Sequence, residues 1–135
     1  MTYKITFTQK PGYLHAVVTG SNTKKNVVSY LADIHRECIG RACMRVLIEE
    51  RLEGLRLGTI DVFEIASKAR DRVTGPLPII AFVDVNAVDT MMAFAEDVAV
   101  NRGIYVRVFK TVAAAEKWLL ELDASSAKPQ LDVAD

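Results

Sequence analysis

Three polar residues of this chain stand where predicted strands end, which is where the sites of α/β proteins usually lie. Glu50, Asp84 and Lys110 each follow a run of mostly apolar residues. At the carboxyl ends of parallel strands, such side chains come together at one edge of the sheet. These three residues are therefore a candidate polar cluster at the carboxyl ends of the parallel strands.

The segment Met44–Asp61, MRVLIEERLEGLRLGTID, offers a different kind of site. It runs from an apolar strand into a loop with three leucines in six residues and glycines at positions 54 and 58. These leucines indicate either a loop folded back over the core or an exposed apolar contact surface flanked by charge. The residues of this candidate contact surface are Leu55, Arg56, Leu57, Gly58 and Thr59.

Other residues that could do chemistry lack the partners that a catalytic site needs. Glu49 and Glu50 are adjacent in a strand, so they point to opposite faces and are interpreted as solvated charges at the strand end. His15 and His35 are expected to be partly buried or surface residues, since no serine or cysteine is placed to be their nucleophile. The phosphate-binding glycine motifs and the G-x-S-x-G elbow are absent from the sequence.

Length, charge and composition limit the function classes. The chain has 135 residues, 17 basic and 17 acidic side chains and 50% hydrophobic residues, which are values typical of one globular domain. Zero net charge argues against a general nucleic-acid binder. The N-terminus has no signal-like apolar run, so a cytoplasmic protein is expected. Cys38 and Cys43 are expected to be buried, reduced thiols rather than metal ligands.

Hydrophobic periodicity divides the chain into strands and helices. Apolar residues that alternate with polar ones, or that form short continuous runs, predict five strands. These strands cover residues 3–9, 13–19, 44–48, 79–83 and 104–109. Pro11-Gly12 makes the first two an antiparallel hairpin. The later strands alternate with helical segments, so they are expected to be parallel.

Four helices are predicted between and after these strands. The first follows the polar residues 20–23 and is expected to stop at Gly40, and the second is expected to end near Arg72. The predicted N-caps of the later helices are Thr59 for the second, Asn86 or Asp89 for the third and Thr111 for the fourth. The order β-β-α-β-α-β-α-β-α predicts an α/β domain over residues 1–122, with a mixed five-stranded sheet. Residues 123–135 are expected to be a disordered tail.

This order of elements resembles the STAS domain, and within it the SpoIIAA-like group of small stand-alone bacterial proteins. The resemblance rests on the hairpin Tyr3–Thr19, the strand MRVLIEE with its loop LEGLRLG, the strand PIIAFVD and the closing segment YVRVFKTVAAAEKWLLEL. That last segment has an aromatic residue, Phe109, at the end of its strand, followed by the pattern A-x-x-W-L over Ala115–Leu119. The resemblance covers about residues 3–122.

The STAS resemblance implies a protein-interaction module with no catalytic role. In its sigma-regulating members, a serine that follows an aspartate at the start of the second helix is phosphorylated, and the partner is released. The matching positions here are Arg56 and Leu57, followed by Gly58 and Thr59, so the Asp-Ser pair is missing. The phosphorylation switch therefore does not carry over. Thr59 is the hydroxyl nearest to that position, where a helix N-terminus would stabilise a phosphate.

The arrangement of Glu50, Asp84 and Lys110 also resembles that of response-regulator receivers, which bind magnesium and accept a phosphoryl group. A receiver, however, begins with a buried strand that ends in an acidic pair. In this chain the first strand is polar on one face and ends in Gln9-Lys10-Pro11. The receiver-type phosphoacceptor is therefore the weakest of the expected functions.

The leading expectation is a non-enzymatic, cytoplasmic interaction or regulatory module without cofactor or metal. It would bind another protein or associate with itself, and would bind neither nucleic acid nor a membrane interior. The alternative is a carrier of a small apolar ligand such as a lipid, because SpoIIAA-like proteins are similar in topology to lipid-carrier domains.

Overall fold

The computed structural model describes residues 2–84 and 89–122, and it confirms the predicted order of strands and helices. The strands are β1 (Tyr3–Lys10), β2 (Tyr13–Ser21), β3 (Arg45–Glu53), β4 (Ile79–Val83) and β5 (Val106–Phe109). The helices are α1 (Lys24–Arg41), α2 (Thr59–Lys68), α3 (Asp89–Asn101) and α4 (Val112–Glu121), with a 3-10 turn at Arg70–Arg72. The strands lie in the sheet in the order of the sequence, β1 to β5, with β1 antiparallel to β2 and the other pairs parallel.

The strand order places three helices on one face of the sheet. Each connection from β2 to β5 moves one strand in the same direction, and right-handed crossovers that do so put their helices on the same side. The contacts agree with this, because side chains of α1, α2 and α3 pack on β-strand residues such as Val46 and Ile80. The last helix, α4, covers the opposite face, where it packs on residues such as Leu47 and Ala81.

The face under α1 carries a cluster of buried apolar residues. It includes Leu14, Ala16 and Val18 of β2, which are fully buried as the alternation in the sequence predicts. On the helix side lie Val27, Tyr30, Ile34 and Cys38 at helical spacing. Both cysteines are free. Burial raises the pKa of the Cys38 thiol to about 12, so this thiol stays protonated at neutral pH.

The ends of α1 differ from the prediction in one respect. Thr23 is the N-cap, within the predicted segment, and its side chain accepts a hydrogen bond from the Asn26 N–H at 3.1 Å. The predicted stop at Gly40 is wrong, because the helix continues to Arg41. It ends instead at Ala42, which takes the left-handed conformation with φ of 52°. The N–H of Ala42 and that of the following residue bond to the last carbonyls of the helix, which stabilises this end without a glycine.

One predicted helix cap near the middle of the chain is also wrong, and β3 is longer than its apolar run, residues 44–48. Glu50 and Leu52 are still paired in parallel with Val18 and Gly20 of β2. The N-cap of α2 is Gly58, which has no side chain to accept a hydrogen bond, and Thr59 is the first helical residue. The predicted cap Asn86 and the predicted tail, residues 123–135, lie outside the described residues. No helix in the described part of the chain is long and apolar enough to cross a membrane.

Replacing the two threonines separately tests the corrected helix starts. The variant Thr23→Ala is expected to lose about 1 kcal/mol of unfolding free energy, because the Asn26 N–H loses its acceptor. The variant Thr59→Ala is expected to change it by less than about 0.5 kcal/mol, because Thr59 caps nothing. Denaturation by urea measures both values. A loss at position 59 as large as that at position 23 would contradict the assignment of Gly58 as the cap.

Candidate functional site

A cavity of about 520 Å³ lies between the sheet and helices α1, α2 and α3. Most of its lining atoms are apolar, and the residues come from every element on that side of the sheet. Its apolar walls include Val27, Leu31, Ile34, Val46, Ile48, Leu57, Val62, Ile65, Ala66, Ile80, Phe82, Ala95, Ala99, Ile104 and Val106. The space is about half open to the surface, so it is a deep cleft that a ligand could enter rather than an enclosed void.

The cavity extends along β4, from the amino ends of the strands to their carboxyl ends. At the carboxyl ends of the strands it is lined by Asp84, and at their amino ends by Leu77 and Pro78. Six residue steps separate Pro78 from Asp84, which corresponds to a length of about 20 Å. His35 lies near the amino end, where its Nε2 is 2.9 Å from the carbonyl oxygen of Pro76. The shape suits an elongated guest.

Tyr30, Glu50, Arg56 and Asp84 are among the polar residues that line the carboxyl end of the cavity. Tyr30 of α1 is fully buried, and its hydroxyl donates a hydrogen bond to Glu50 at the end of β3. Asp84, which is 3% exposed, follows β4 and accepts from Arg56. The Arg56 Nη2 is 2.9 Å from Asp84 Oδ2, and Nη1 is 3.5 Å from Oδ1. The carboxyl end of the cavity is therefore polar and charged, and His35 and Arg72 are further polar residues of its lining.

Glu50 is the most perturbed carboxyl group of this cluster. Burial raises its pKa from 4.5 to about 7, and the nearby Asp84 carboxylate raises it as well. The hydrogen bond from Tyr30 and the positive charge of Arg56 act in the opposite direction but are outweighed. Near neutral pH, Glu50 therefore exists in both its protonated and its ionised form. Perturbed groups of this kind in a cleft are typical of functional sites.

The interpretation of Glu49 and Glu50 as solvated charges is wrong, although they do lie on opposite faces of the sheet. Glu49 is 6% exposed, and its carboxylate lies 3.0 Å from His15 Nε2 and 2.6 Å from Arg51 Nε. Burial alone would raise the pKa of Glu49, but the hydrogen bonds from Arg51 and His15 outweigh it and lower that pKa. The two neighbours thus have opposite electrostatic environments.

The three strand-end residues of the sequence analysis are only partly brought together. Glu50 and Asp84 line the same end of the cavity, and their charges interact. Lys110 is exposed and does not line the cavity. Among the side chains that the structure describes, residues 2–84 and 92–122, no group of three or more His, Cys, Asp or Glu could hold a metal ion. The described residues therefore give no geometric support to the receiver-type arrangement.

The leucines of the loop have three different environments. Leu52 belongs to β3 and packs against the core, and Leu57 packs there too and lines the cavity. Leu55 is 90% exposed. Of the other residues predicted for the contact surface, Gly58 and Thr59 are exposed at the start of α2, while Arg56 reaches Asp84. The loop is thus folded back over the core at some residues and exposed at Leu55.

Sequence reasoning missed Tyr30, Arg56 and the cavity. Tyr30 lies among the apolar residues of α1, and a buried tyrosine needs a partner for its hydroxyl, which is a usable signal. Arg56 was considered a surface residue, and no local pattern shows that it reaches Asp84, 28 positions later. The cavity itself arises from the spacing of three helices, which the sequence pattern does not specify.

Comparison with models of known protein families gives no match, and no curated protein sequence is significantly similar to the chain.

Proposed function

We propose that the protein binds a small, largely apolar ligand in the cavity between the sheet and helices α1–α3. The observation that carries this proposal is the combination of a volume of about 520 Å³ with mostly apolar walls and a polar cluster at the carboxyl end. Binding sites for small molecules usually have volumes between about 300 and 1,000 Å³, with mostly apolar walls and a few convergent polar groups. The ligand-carrier alternative is therefore better supported than the interaction module that the sequence led us to expect.

The apolar walls supply affinity and the polar end supplies orientation. Each 100 Å² of apolar ligand surface removed from water contributes about 2.5 kcal/mol before the costs of association. A guest lying along the cavity would contact Ile48, Ile80 and Phe82 of the sheet below and Val62 and Ala95 of the helices above. Its polar group would lie at the carboxyl ends of β3 and β4, since the polar cluster described above is there.

Filling the cavity tests this proposal. In Ala95→Trp the indole enters the cavity, because Ala95 lines it, whereas the matched variant Ala93→Trp places the same side chain on the exposed side of α3. With decan-1-ol as probe, native mass spectrometry and heteronuclear NMR are expected to show binding to the wild type and to Ala93→Trp. Ala95→Trp is expected to weaken binding at least tenfold. The proposal would be contradicted if the probe bound to none of the three proteins, or bound to all three with equal affinity.

A second candidate function, contact with another protein through the loop, is favoured by one observation. Leu55 is 90% exposed and Ile60, at the start of α2, is 75% exposed. Nearby on the helices, Phe63 and Phe94 stack on each other with ring centroids 6.2 Å apart, and both are more than one third exposed. Large apolar side chains exposed in this way, flanked by charge, often mark interaction surfaces.

Two glutamate substitutions separate a contact role from a packing role. Leu55→Glu is expected to leave the unfolding free energy within about 0.5 kcal/mol of the wild type, because Leu55 is solvated. Leu57→Glu is expected to lower it by about 2 kcal/mol or more, because Leu57 packs against the core. If the loop is a contact surface, Leu55→Glu also abolishes self-association or partner capture measured by light scattering and pull-down. An unchanged mass and unchanged partners would remove the second candidate.

A further inference from the structure

We infer, on the basis of the proposed ligand cavity, that the ligand is an apolar amine whose protonated nitrogen is bound by Glu50. The inference concerns the chemical class of the guest, which the apolar walls leave open. It rests on the hydrogen bonds and charges at the carboxyl end of the cavity.

The Glu50 carboxyl group has acceptor capacity that the protein leaves unused. An ionised carboxylate accepts about four hydrogen bonds. Among the side chains of residues 2–84 and 92–122, Glu50 receives one, from the Tyr30 hydroxyl to Oε2, and it forms no ion pair. Because Glu50 lines the cavity, its remaining acceptor sites are available to a donor that enters there.

The carboxylates at this end of the cavity favour a cation over an anion, and the Arg56 guanidinium that pairs with Asp84 offsets part of their negative charge. Asp84 lines the same end and its carboxylate already receives both Nη atoms of Arg56. On α3, Glu96 also lines the cavity and accepts from the Val108 N–H. A ligand carboxylate would add a further negative charge beside these groups. An ammonium group would instead balance the Glu50 charge where water is scarce and Coulomb interactions are strong.

An amine also satisfies Glu50 better than a neutral polar group does. An ammonium carries three donors, and a hydrogen bond between two charged groups is about twice as strong as one between neutral groups. A hydroxyl offers one donor and no charge. For guests with the same apolar chain, an amine is therefore expected to bind about tenfold more tightly than an alcohol.

The ionisation of Glu50 makes this binding depend on pH. Its pKa of about 7 means that the fraction ionised rises about tenfold between about pH 6 and about pH 8, whereas an alkylamine stays protonated. Among the described side chains, the titratable and charged groups that act on Glu50 are Tyr30 of α1, Arg56 of the loop and Asp84 after β4, and Glu96 of α3 also lines the cavity. The affinity for an amine is thus expected to rise about tenfold across this range.

Calorimetric titration of the full chain with decylamine, decan-1-ol and decanoate, each below its aggregation concentration, tests the inference. At about pH 8, decylamine is expected to bind about tenfold more tightly than the other two, and at about pH 6 this advantage is expected to disappear. It is also expected to disappear in Glu50→Gln and to persist in Glu49→Gln, since Glu49 faces the other side of the sheet. Should Glu50→Gln fail to fold, the comparison of the two pH values in the wild type decides.

The outcomes separate the two proposals. If decan-1-ol or decanoate binds as tightly as decylamine at about pH 8, the inferred ligand class is wrong while the cavity remains a binding site. If none of the three probes binds, the proposed function fails and the inferred class with it. If decylamine is preferred equally in the wild type and in Glu50→Gln, Glu50 does not bind the nitrogen and the inference is overturned.

Discussion

Replacing Glu50 with glutamine is expected to stabilise the protein by about 3 kcal/mol at pH 8 and hardly at all at pH 4. In the folded protein the pKa of Glu50 is raised from 4.5 to about 7, first by burial and then by Asp84. Between these values the folded state holds a proton that the unfolded state has released. The wild type therefore loses stability as pH rises from about 4.5 to about 7, and a neutral glutamine avoids that loss while still accepting from Tyr30.

The neighbouring residue provides a control with the opposite sign. The pKa of Glu49 is lowered by Arg51 and His15 despite its burial, so its ionised form stabilises the folded protein above the ordinary pKa. Glu49→Gln is therefore expected to destabilise the protein at neutral pH, with a difference that shrinks as pH falls through the folded pKa. Urea denaturation of the three proteins from pH 4 to pH 8 measures both trends. Parallel curves for the wild type and Glu50→Gln would show that Glu50 has an ordinary pKa.

The sheet could be predicted because its signals are local. Residues 79–83 form a continuous apolar run, and they are a strand between two parallel neighbours. The alternation on either side of Pro11-Gly12 gave the hairpin, and Thr111 is the N-cap of α4 as predicted, since its side chain accepts from the Ala114 N–H. In each case a residue and its immediate neighbours determine the structure.

The candidate site could not be predicted in the same way, because its partners are far apart in the sequence. Glu49, Glu50 and Arg51 look like the solvated end of a strand. They continue β3 because Tyr30 and His15, which are more than 15 residues away, accommodate the two carboxylates on opposite faces. The same holds for Arg56, whose partner Asp84 lies on another strand end. Such contacts form only in the folded protein. Without knowledge of them, a run of polar residues at the end of a strand is interpreted as a loop.

Replacing either residue of the Arg56–Asp84 ion pair is expected to shift the pKa of Glu50, and the two replacements are expected to shift it in opposite directions. Replacing Arg56 with glutamine removes a positive charge that lowers the pKa of Glu50, so that pKa is expected to rise above about 7. Replacing Asp84 with asparagine removes a carboxylate that raises it, so the pKa is expected to fall. The carboxyl ¹³C resonance of Glu50, followed by NMR over a pH titration, measures both shifts.

Arg56→Gln is also expected to change the stability of the protein, and the size of the change depends on how deeply each residue of the ion pair is buried. Arg56→Gln leaves the Asp84 carboxylate, 4% exposed, without its guanidinium, and a loss of about 2 kcal/mol is expected. The loss is smaller than for a fully buried pair because the Arg56 side chain is 43% exposed. Arg51→Gln is the matched control, since Arg51 pairs with Glu49 on the other face, and it is expected to leave the Glu50 resonance unchanged. If Arg56→Gln and Asp84→Asn moved the pKa of Glu50 in the same direction, the charges of Arg56 and Asp84 would not account for the shift in that pKa.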